Sequence, residues 1–423
     1  MVRSGIRKTA LSLAVAGAFA GGVSQAHASA FALIEQSASG LGNSYAGAAA
    51  TAEDASIIFY NPAGMSLLPG GMQISGGLAL INLSAKFSDS GSAVARGGNN
   101  GGDAGSLSAV PNFYFVTDIA RNLKVGVGVS VPFGLKTEYD PDWLGRFQAI
   151  KSDVKTFNIN PSGSYKINEM VSVGFGLSYQ KIDAELTNKV LNPTAIEPLA
   201  TVKASDNSWG FNLGAMFQLA PETRLGVSYR SSIKYHLKGT VAFTDTAGLP
   251  APILAAIPDG DVSADIKMPD SASIALQHKL DPRWTLLADV TRTGWSKFKD
   301  LTIVRDTGAT LSSTPENFKD TWRVGVGAVH RYDDAWSIKM GLAFDQTPVN
   351  DTDRTARLPD NNRLWLSFGG QYRLSKDGTL DFGYAHLFIK DAPINQNLGA
   401  GNQLTGTYKG SVDIFGAQFA YRF

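Results

Sequence analysis

The chain has 423 residues, 38 Lys and Arg against 37 Asp and Glu, no cysteine, and a mean hydropathy of −0.06. Near-neutral charge removes the electrostatic case for nucleic acid, and the absence of thiols removes disulfides and cysteine chemistry. A hydropathy near zero does not exclude a membrane protein, because the lipid-facing and lumen-facing residues of a barrel alternate and cancel.

Arg3, Arg7 and Lys8 precede the apolar stretch from Ala10 to Ala20, and Ala26-His27-Ala28 follows as an A-x-A cleavage site. This is the layout of a secretory signal over 1–28. Its removal takes three basic residues and no acids, so the formal charge falls from +1 to −2. Residues 29–70 do not alternate as strands do. Small helix formers run from Ala46 to Ala55, the bulky run Ile57-Ile58-Phe59-Tyr60 follows, and Asn61-Pro62 imposes a turn. This segment reads as a partly helical hatch, a plug inside a barrel formed by 71–423.

From Gly71 onward period two dominates. Leu225, Val227, Tyr229, Ile233, Tyr235 and Leu237 alternate with Gly226, Ser228, Arg230, Lys234, His236 and Lys238, so one face is apolar and the other polar and basic. Strands are expected at 71–83, 109–119, 123–135, 152–167, 170–186, 206–219, 223–241, 260–280, 283–297, 319–332, 335–345, 361–374, 378–390 and 410–423. Short turns such as Asn168-Glu169, Pro221-Glu222 and Asp333-Asp334 alternate with long loops such as Ser84–Ser108. That rhythm belongs to a 14-stranded antiparallel up-and-down transmembrane β-barrel, an all-β membrane protein of a Gram-negative outer membrane. The last strand carries Phe415, Phe419, Tyr421 and Phe423. Six tryptophans, at 209, 284, 295, 322, 336 and 365, lie near expected strand ends, where interfacial girdles belong.

Nothing rises to an enzyme. The histidines His236, His278, His330 and His386 are scattered without metal spacing. The pairs Gly126/Gly128, Gly174/Gly176 and Gly325/Gly327 lie within strands and lack the strand-turn-helix setting of a phosphate loop. Small residues there would permit barrel curvature. Asp351-Thr352-Asp353 reads as a solvated turn. No cofactor and no metal is expected.

The mature chain resembles the outer-membrane long-chain fatty-acid transporter (FadL) family, which includes OmpP1- and TodX-type proteins. The resemblance rests on a collinear set: Ser39-Gly40-Leu41-Gly42, Tyr45-Ala46-Gly47, Ala52-Glu53-Asp54-Ala55, Asn61-Pro62-Ala63, Phe133-Gly134-Leu135, Asp281-Pro282-Arg283-Trp284, Leu358-Pro359-Asp360 and Arg363-Leu364-Trp365. It implies diffusive, energy-independent uptake of long-chain fatty acids or similar hydrophobic compounds, with aromatic hydrocarbons as the alternative cargo. It also implies a hatch gated at Asn61, Pro62 and Ala63, facing an opening in the wall. That opening is a lateral exit at a kinked third strand, where Pro132, Phe133 and Gly134 have the residue types of an irregular strand. A ligand site would draw on Phe31, Leu33 and Ile34, with Arg146 or Lys189 for a carboxylate. Lys151, Lys155, Arg230 and Lys234 are further basic candidates. The implied partners are hydrophobic small molecules, outer-membrane lipid and lipopolysaccharide, and the barrel-assembly machinery, through the strand ending at Phe423. A monomer is expected.

Overall fold

The computed structural model describes residues 30–423; the leader assigned to 1–28, and Ser29, lie outside the described residues. Fourteen strands form the wall, several of them in two pieces. They are β1 (Gln73–Asp89), β2 (Leu107–Ala120), β3 (Leu123–Ser130 and Gly134–Glu138), β4 (Lys151–Lys166), β5 (Val171–Lys189), β6 (Leu199–Ala220) and β7 (Thr223–Arg230 and Ile233–Thr244). They continue as β8 (Gly260–Met268 and Ser271–Lys279), β9 (Trp284–Thr293 and Asp300–Arg305), β10 (Thr310–Pro315 and Thr321–Arg331), β11 (Trp336–Asp345), β12 (Arg363–Arg373), β13 (Gly378–Ile389 and Ala392–Asn397) and β14 (Asn402–Arg422). Neighbours in sequence pair antiparallel, and β1 closes on β14 from Gln73↔Arg422 to Asp89↔Gly406.

The burial of β5 shows which medium surrounds the barrel. Val173, Phe175 and Leu177 are exposed, while Ser172 and Ser178 are buried. A water-soluble sandwich has the opposite arrangement. Here lipid covers the apolar face and the lumen takes the polar one. At 19 residues β5 also runs roughly 60 Å along its path. A tilted strand needs only about 9–11 residues to cross the bilayer, so the outer part stands above it. For the same reason the stretch expected as a loop between β9 and β10 continues the hairpin, with Asp300↔Pro315 to Ile303↔Ser312 in register and a one-residue shift before Val304↔Thr310.

The single apolar face expected along 225–241 is two faces. Val227 is exposed, but beyond the break at Ser231-Ser232 it is Ile233, Tyr235 and Leu237 that are buried, and Lys234, His236 and Lys238 face out. Below the break apolar side chains meet lipid. Above it, water surrounds the barrel and the apolar side chains turn inward. β8 inverts in the same way across Pro269-Asp270: Ile274 and Leu276 are exposed, Val262 and Met268 buried. The girdle expectation needs a similar correction. Trp209, Trp322 and Trp336 are exposed, but Trp295 and Trp365 are wholly buried inside.

Residues 30–70 occupy the lumen as three short helical turns, Leu41–Asn43, Ile57–Tyr60 and Pro62–Leu67, joined by extended and turn segments. The hatch approaches the wall where the wall has glycine. A Cβ at Gly226 would overlap the Ala49 carbonyl, and one at Gly174 would overlap the Ala63 backbone. Gly126 likewise lies under Ile58 and Met65. Gly174 and Gly226 admit the hatch backbone and Gly126 its side chains, for Gly126 and Gly174 a tighter reason than the barrel curvature expected of them.

Gly226→Val should leave the ladder intact and push the hatch off β7. Overpacking of this kind costs about 1–3 kcal/mol, so amide exchange in 45–65 should rise roughly fivefold or more while heat-modifiable mobility stays normal. Unchanged exchange would mean that the hatch does not depend on this contact.

Candidate functional site

The wall is interrupted at one place that matters most. Pro132 has no N–H to give a ladder, and β3 breaks over Val131-Pro132-Phe133. The lower piece of β3 pairs with β2 up to Phe113↔Val129, but the upper piece pairs only with β4, from Gly134↔Lys155 to Glu138↔Lys151. Residues 107–112 of β2 are in register with β1 alone. The sheet is therefore unzipped between β2 and the upper β3.

The start of the hatch covers this break from inside. Leu33 N–H donates to the Pro132 carbonyl (2.8 Å), and Gly134 N–H to that of Phe31 (2.8 Å). The Gln36 side chain brackets Val131: its Nε2 donates to the carbonyl (2.7 Å), and its Oε1 accepts from the N–H (3.0 Å). Tyr114 Oη holds the Gln36 carbonyl at 2.8 Å. Phe31 packs edge-on against Trp295 (4.7 Å between centroids) and Phe133 (6.3 Å). Residues 31–36 thus act as a surrogate strand laid over the kink. Gln36 was not legible as a site residue, because one polar side chain after an apolar run has many ordinary explanations.

Behind this contact lies a cavity of about 160 Å³. It brings together Leu33, Ile34, Pro62, Pro132 and Phe133, five of the residues singled out from sequence, with Phe59, Tyr60 and the inner wall of β6–β9. Phe31 sits beside it, behind Phe133. Asn61 and Ala63 do not reach the kink. The Asn61 amide donates to the carbonyls of Ala49 (2.7 Å), Ala215 (3.1 Å) and Val227 (3.4 Å), and Ala63 O accepts from Ser164 (2.9 Å) and Ser172 (3.0 Å). The turn is pinned to β4–β7 instead of facing the break.

The basic residues divide sharply. Arg146 is held by Glu197 (2.8 Å) and by the Gly97 carbonyl (2.6 Å) in the outer loops, and Lys189, at the end of β5, by Asp245 (2.8 Å). Lys151 and Lys155 pair with Glu185 and Asp153. None of these lines the cavity, and Lys234 faces outward because of the break in β7. Arg230 and Arg323 do line it, with Asp289 and Asp345. Arg323 is bound to Asp289 (3.1 Å) and to the Ser44 carbonyl. On the far side of the hatch Lys339 joins Asp381 (3.1 Å), Glu53 (2.7 Å) and the Ser39 carbonyl (2.9 Å).

Glu35 has no such partner. It is fully buried in the hatch, and neither carboxyl oxygen has a hydrogen-bond partner. Burial pushes its pKa from 4.5 up to about 7, against the weaker pull of its own backbone N–H and of Arg363.

A lipid-covered barrel, a plug held by polar contacts, and an apolar cavity beside a break in the wall together define an outer-membrane transporter. Residues 19–423 match the family described as outer membrane protein transport protein (OMPP1/FadL/TodX). The long-chain fatty acid transport protein of Salmonella typhi is 29% identical over 426 residues, covering 94% of this chain and 95% of that one. Outer membrane protein P1 of Haemophilus influenzae is 30% identical over 86% of each chain. The crystal structure of a Pseudomonas aeruginosa FadL homologue superposes with a TM-score of 0.87 at 25% identity, covering 93% of this chain and all of that one. The Pseudomonas putida toluene transporter TodX shares the fold at a TM-score of 0.66 and 19% identity, over 87% and 94% of the two chains. The chain belongs to this family. It is a Gram-negative outer-membrane barrel that transports hydrophobic compounds, and not an enzyme.

Two predictions concern the hatch. Gln36→Ala leaves the Val131 peptide group without partners, at a cost of about 1–3 kcal/mol, and should raise the open probability in planar bilayers. A wild-type open probability would rule Gln36 out as a latch. The Glu35 carboxyl binds its proton more tightly in the docked hatch (pKa about 7) than it does in water (4.5). Docking is therefore unpenalised below about pH 4.5 and weakens as pH rises towards 7, with the full penalty above that. Open probability should increase between pH 5 and 8 in the wild type, and Glu35→Gln should abolish the increase. A pH response that survives in that variant must come from another group.

Proposed function

We propose that the protein admits long-chain fatty acids or similar hydrophobic compounds by diffusion, without an energy source, through the luminal cavity and out sideways at the break in β3. The observation that carries this reading is the unzipped edge between β2 and upper β3, spanned at the kink by hatch residues 31–36. A hydrophobic solute that left through an aqueous lumen would forfeit about 0.8 kcal/mol for each methylene, whereas a lateral exit delivers it to lipid. The name of the Salmonella typhi relative, a long-chain fatty acid transport protein, supports fatty acids. Ligand in the cavity touches Leu33 and Ile34 and competes with their seating against the kink, which is the differential affinity that ligand-driven opening requires. Asn61-Pro62-Ala63 acts as the fixed point of the hatch, about which the 31–36 end moves.

The cavity volume favours a second reading. A closed cavity of about 150 Å³ accommodates a single aromatic ring. The 160 Å³ here would take toluene without hatch movement, while an acid of oleate length requires the hatch to shift. Uptake of labelled oleate and labelled toluene by a transporter-deficient Gram-negative host separates the two. Replacing Pro132-Phe133-Gly134 with Val-Thr-Val should zip β3 onto β2 and reduce oleate uptake at least tenfold with normal assembly. Uptake at the wild-type rate in that variant would eliminate the lateral exit. In Asn61→Ala, a buried anchor with three carbonyl partners is lost, and uptake should change while the barrel still assembles. If uptake and mobility both match the wild type, Asn61 has no part in gating.

A further inference from the structure

Lys234, a basic candidate from the sequence, lies on the outside of the barrel, and its direct neighbour across β7–β8 is Lys267. Ile266 and Met268, on either side of Lys267, belong to the inner apolar cluster, so Lys267 also faces out. Two like charges placed directly opposite on one face of a sheet repel. Among the described residues neither lysine has an acid partner: Asp265 is held by His236 (2.6 Å) and Asp270 by Lys297. Higher on the same face Lys238 lies opposite Ser263 of β8 and Ser205 of β6, again without a carboxylate. Lysines of β4–β6 beside it are matched, Lys155 by Asp153 (3.2 Å), Lys181 by Asp183 (3.0 Å) and Lys203 by Glu185 (3.8 Å). Lys234, Lys267 and Lys238 thus form a cationic strip that lacks a counter-charge.

The height of the strip indicates which anion it meets. Directly below it are the breaks at Ser231-Ser232 and Pro269-Asp270, where the faces invert and lipid gives way to water. Beneath the breaks the outward pairs are Tyr229 with Ala272 and Val227 with Ile274. Val227 and Ile274 are exposed to the acyl chains. On β5–β6 the exposed Trp209, stacked near Tyr179 (5.0 Å between centroids), marks the same boundary. Above it Lys155, Lys203, Ser205 and Lys238 border an open groove of about 340 Å³ on the outer wall. A free phosphate would meet the lysines alone. A lipid with a phosphorylated sugar head meets all three features at once: cations, a polar groove beside them and an apolar wall below. Lysine suits this role, because its ammonium is a compact charge with three donors.

We propose that Lys234, Lys267 and Lys238 bind a phosphate of the lipid A head group of lipopolysaccharide, with the sugar towards the groove and the acyl chains along Val227 and Ile274. The phosphate supplies the counter-charge that the opposed lysines lack. The site is on the outer wall, apart from the luminal cavity, and does not depend on which compound is transported.

The test is binding of lipid A, with and without its phosphates, by the assembled protein in detergent, read by native mass spectrometry and thermal melting. The wild type should bind the phosphorylated form about tenfold or more tightly than the stripped form, the value of a charge-assisted hydrogen bond. The double variant Lys234→Gln, Lys267→Gln should lose that preference. Because it also removes the repulsion, it should melt at or above the wild type when lipid is absent. Arginine at both positions should keep the preference, and Lys376→Gln, at an exposed lysine in a periplasmic turn, should bind as the wild type does. Equal binding of the two lipid A forms by the wild type would overturn the site, as would undiminished preference in the double variant. A comparable loss in Lys376→Gln would reduce it to bulk charge. Complete displacement of lipid A by millimolar inorganic phosphate would make it a plain anion site and overturn the lipid. Lower lipid-free melting of the double variant, or its failure to assemble, would show that the lysines stabilise the wall unaided, and would overturn the proposal as well.

Discussion

In a bilayer every peptide group must find its hydrogen-bond partner within the protein, and that constraint shapes this molecule. β1 meets β14 over 17 consecutive residue pairs, and the ring has no free edge at that seam. Strands part between β2 and the upper β3, and there the hatch supplies the missing partners. Leu33, Gln36 and the Phe31 carbonyl satisfy Val131, Pro132 and Gly134. Moving the hatch thus means exchanging hydrogen bonds at the very break through which a ligand would leave. On the proposed lateral route, gate and exit are parts of a single contact.

The hatch is fastened by apolar packing, with Leu33, Leu41 and Tyr45 in one buried cluster and Ile57, Ile58 and Met65 in another, and also by polar groups. Lys339 with Glu53 and Asp381, and Arg323 with Asp289, are buried ion pairs whose attraction is largely offset by their desolvation. Such pairs fix position more than they add stability. The glycine-lined approach at Gly174 and Gly226 also brings hatch backbone against the wall. The apolar cluster of Phe31, Phe133, Trp295 and Phe298 at the kink is the part a hydrophobic ligand can imitate.

Much of this was legible in the residues. Alternation marked the strands, the short and long connections marked an up-and-down barrel, and Pro132-Phe133-Gly134 marked the irregular strand. Leu33, Ile34, Pro62 and the kink do border one cavity. The head-group candidates were not legible. Arg146, Lys189, Lys234 and Arg230 look alike in a sequence, because charge does not reveal whether a partner such as Glu197 or Asp245 lies nearby. Trp295 and Trp365 were misplaced in a girdle, since position along a strand does not say which face a residue occupies once the strand is broken.

The period-two pattern by itself determined that the chain is a barrel of long strands with a non-strand plug, because alternation is a local property set by pleating. Only the tertiary structure decided which side each alternating face meets. The breaks at Ser231-Ser232 and Pro269-Asp270 invert the faces where lipid gives way to water. Tertiary structure also set Lys234 opposite Lys267, and Gln36 against Val131, 95 residues away. Those contacts depend on register between strands and on where the hatch comes to rest, and neither is written in any single stretch of chain.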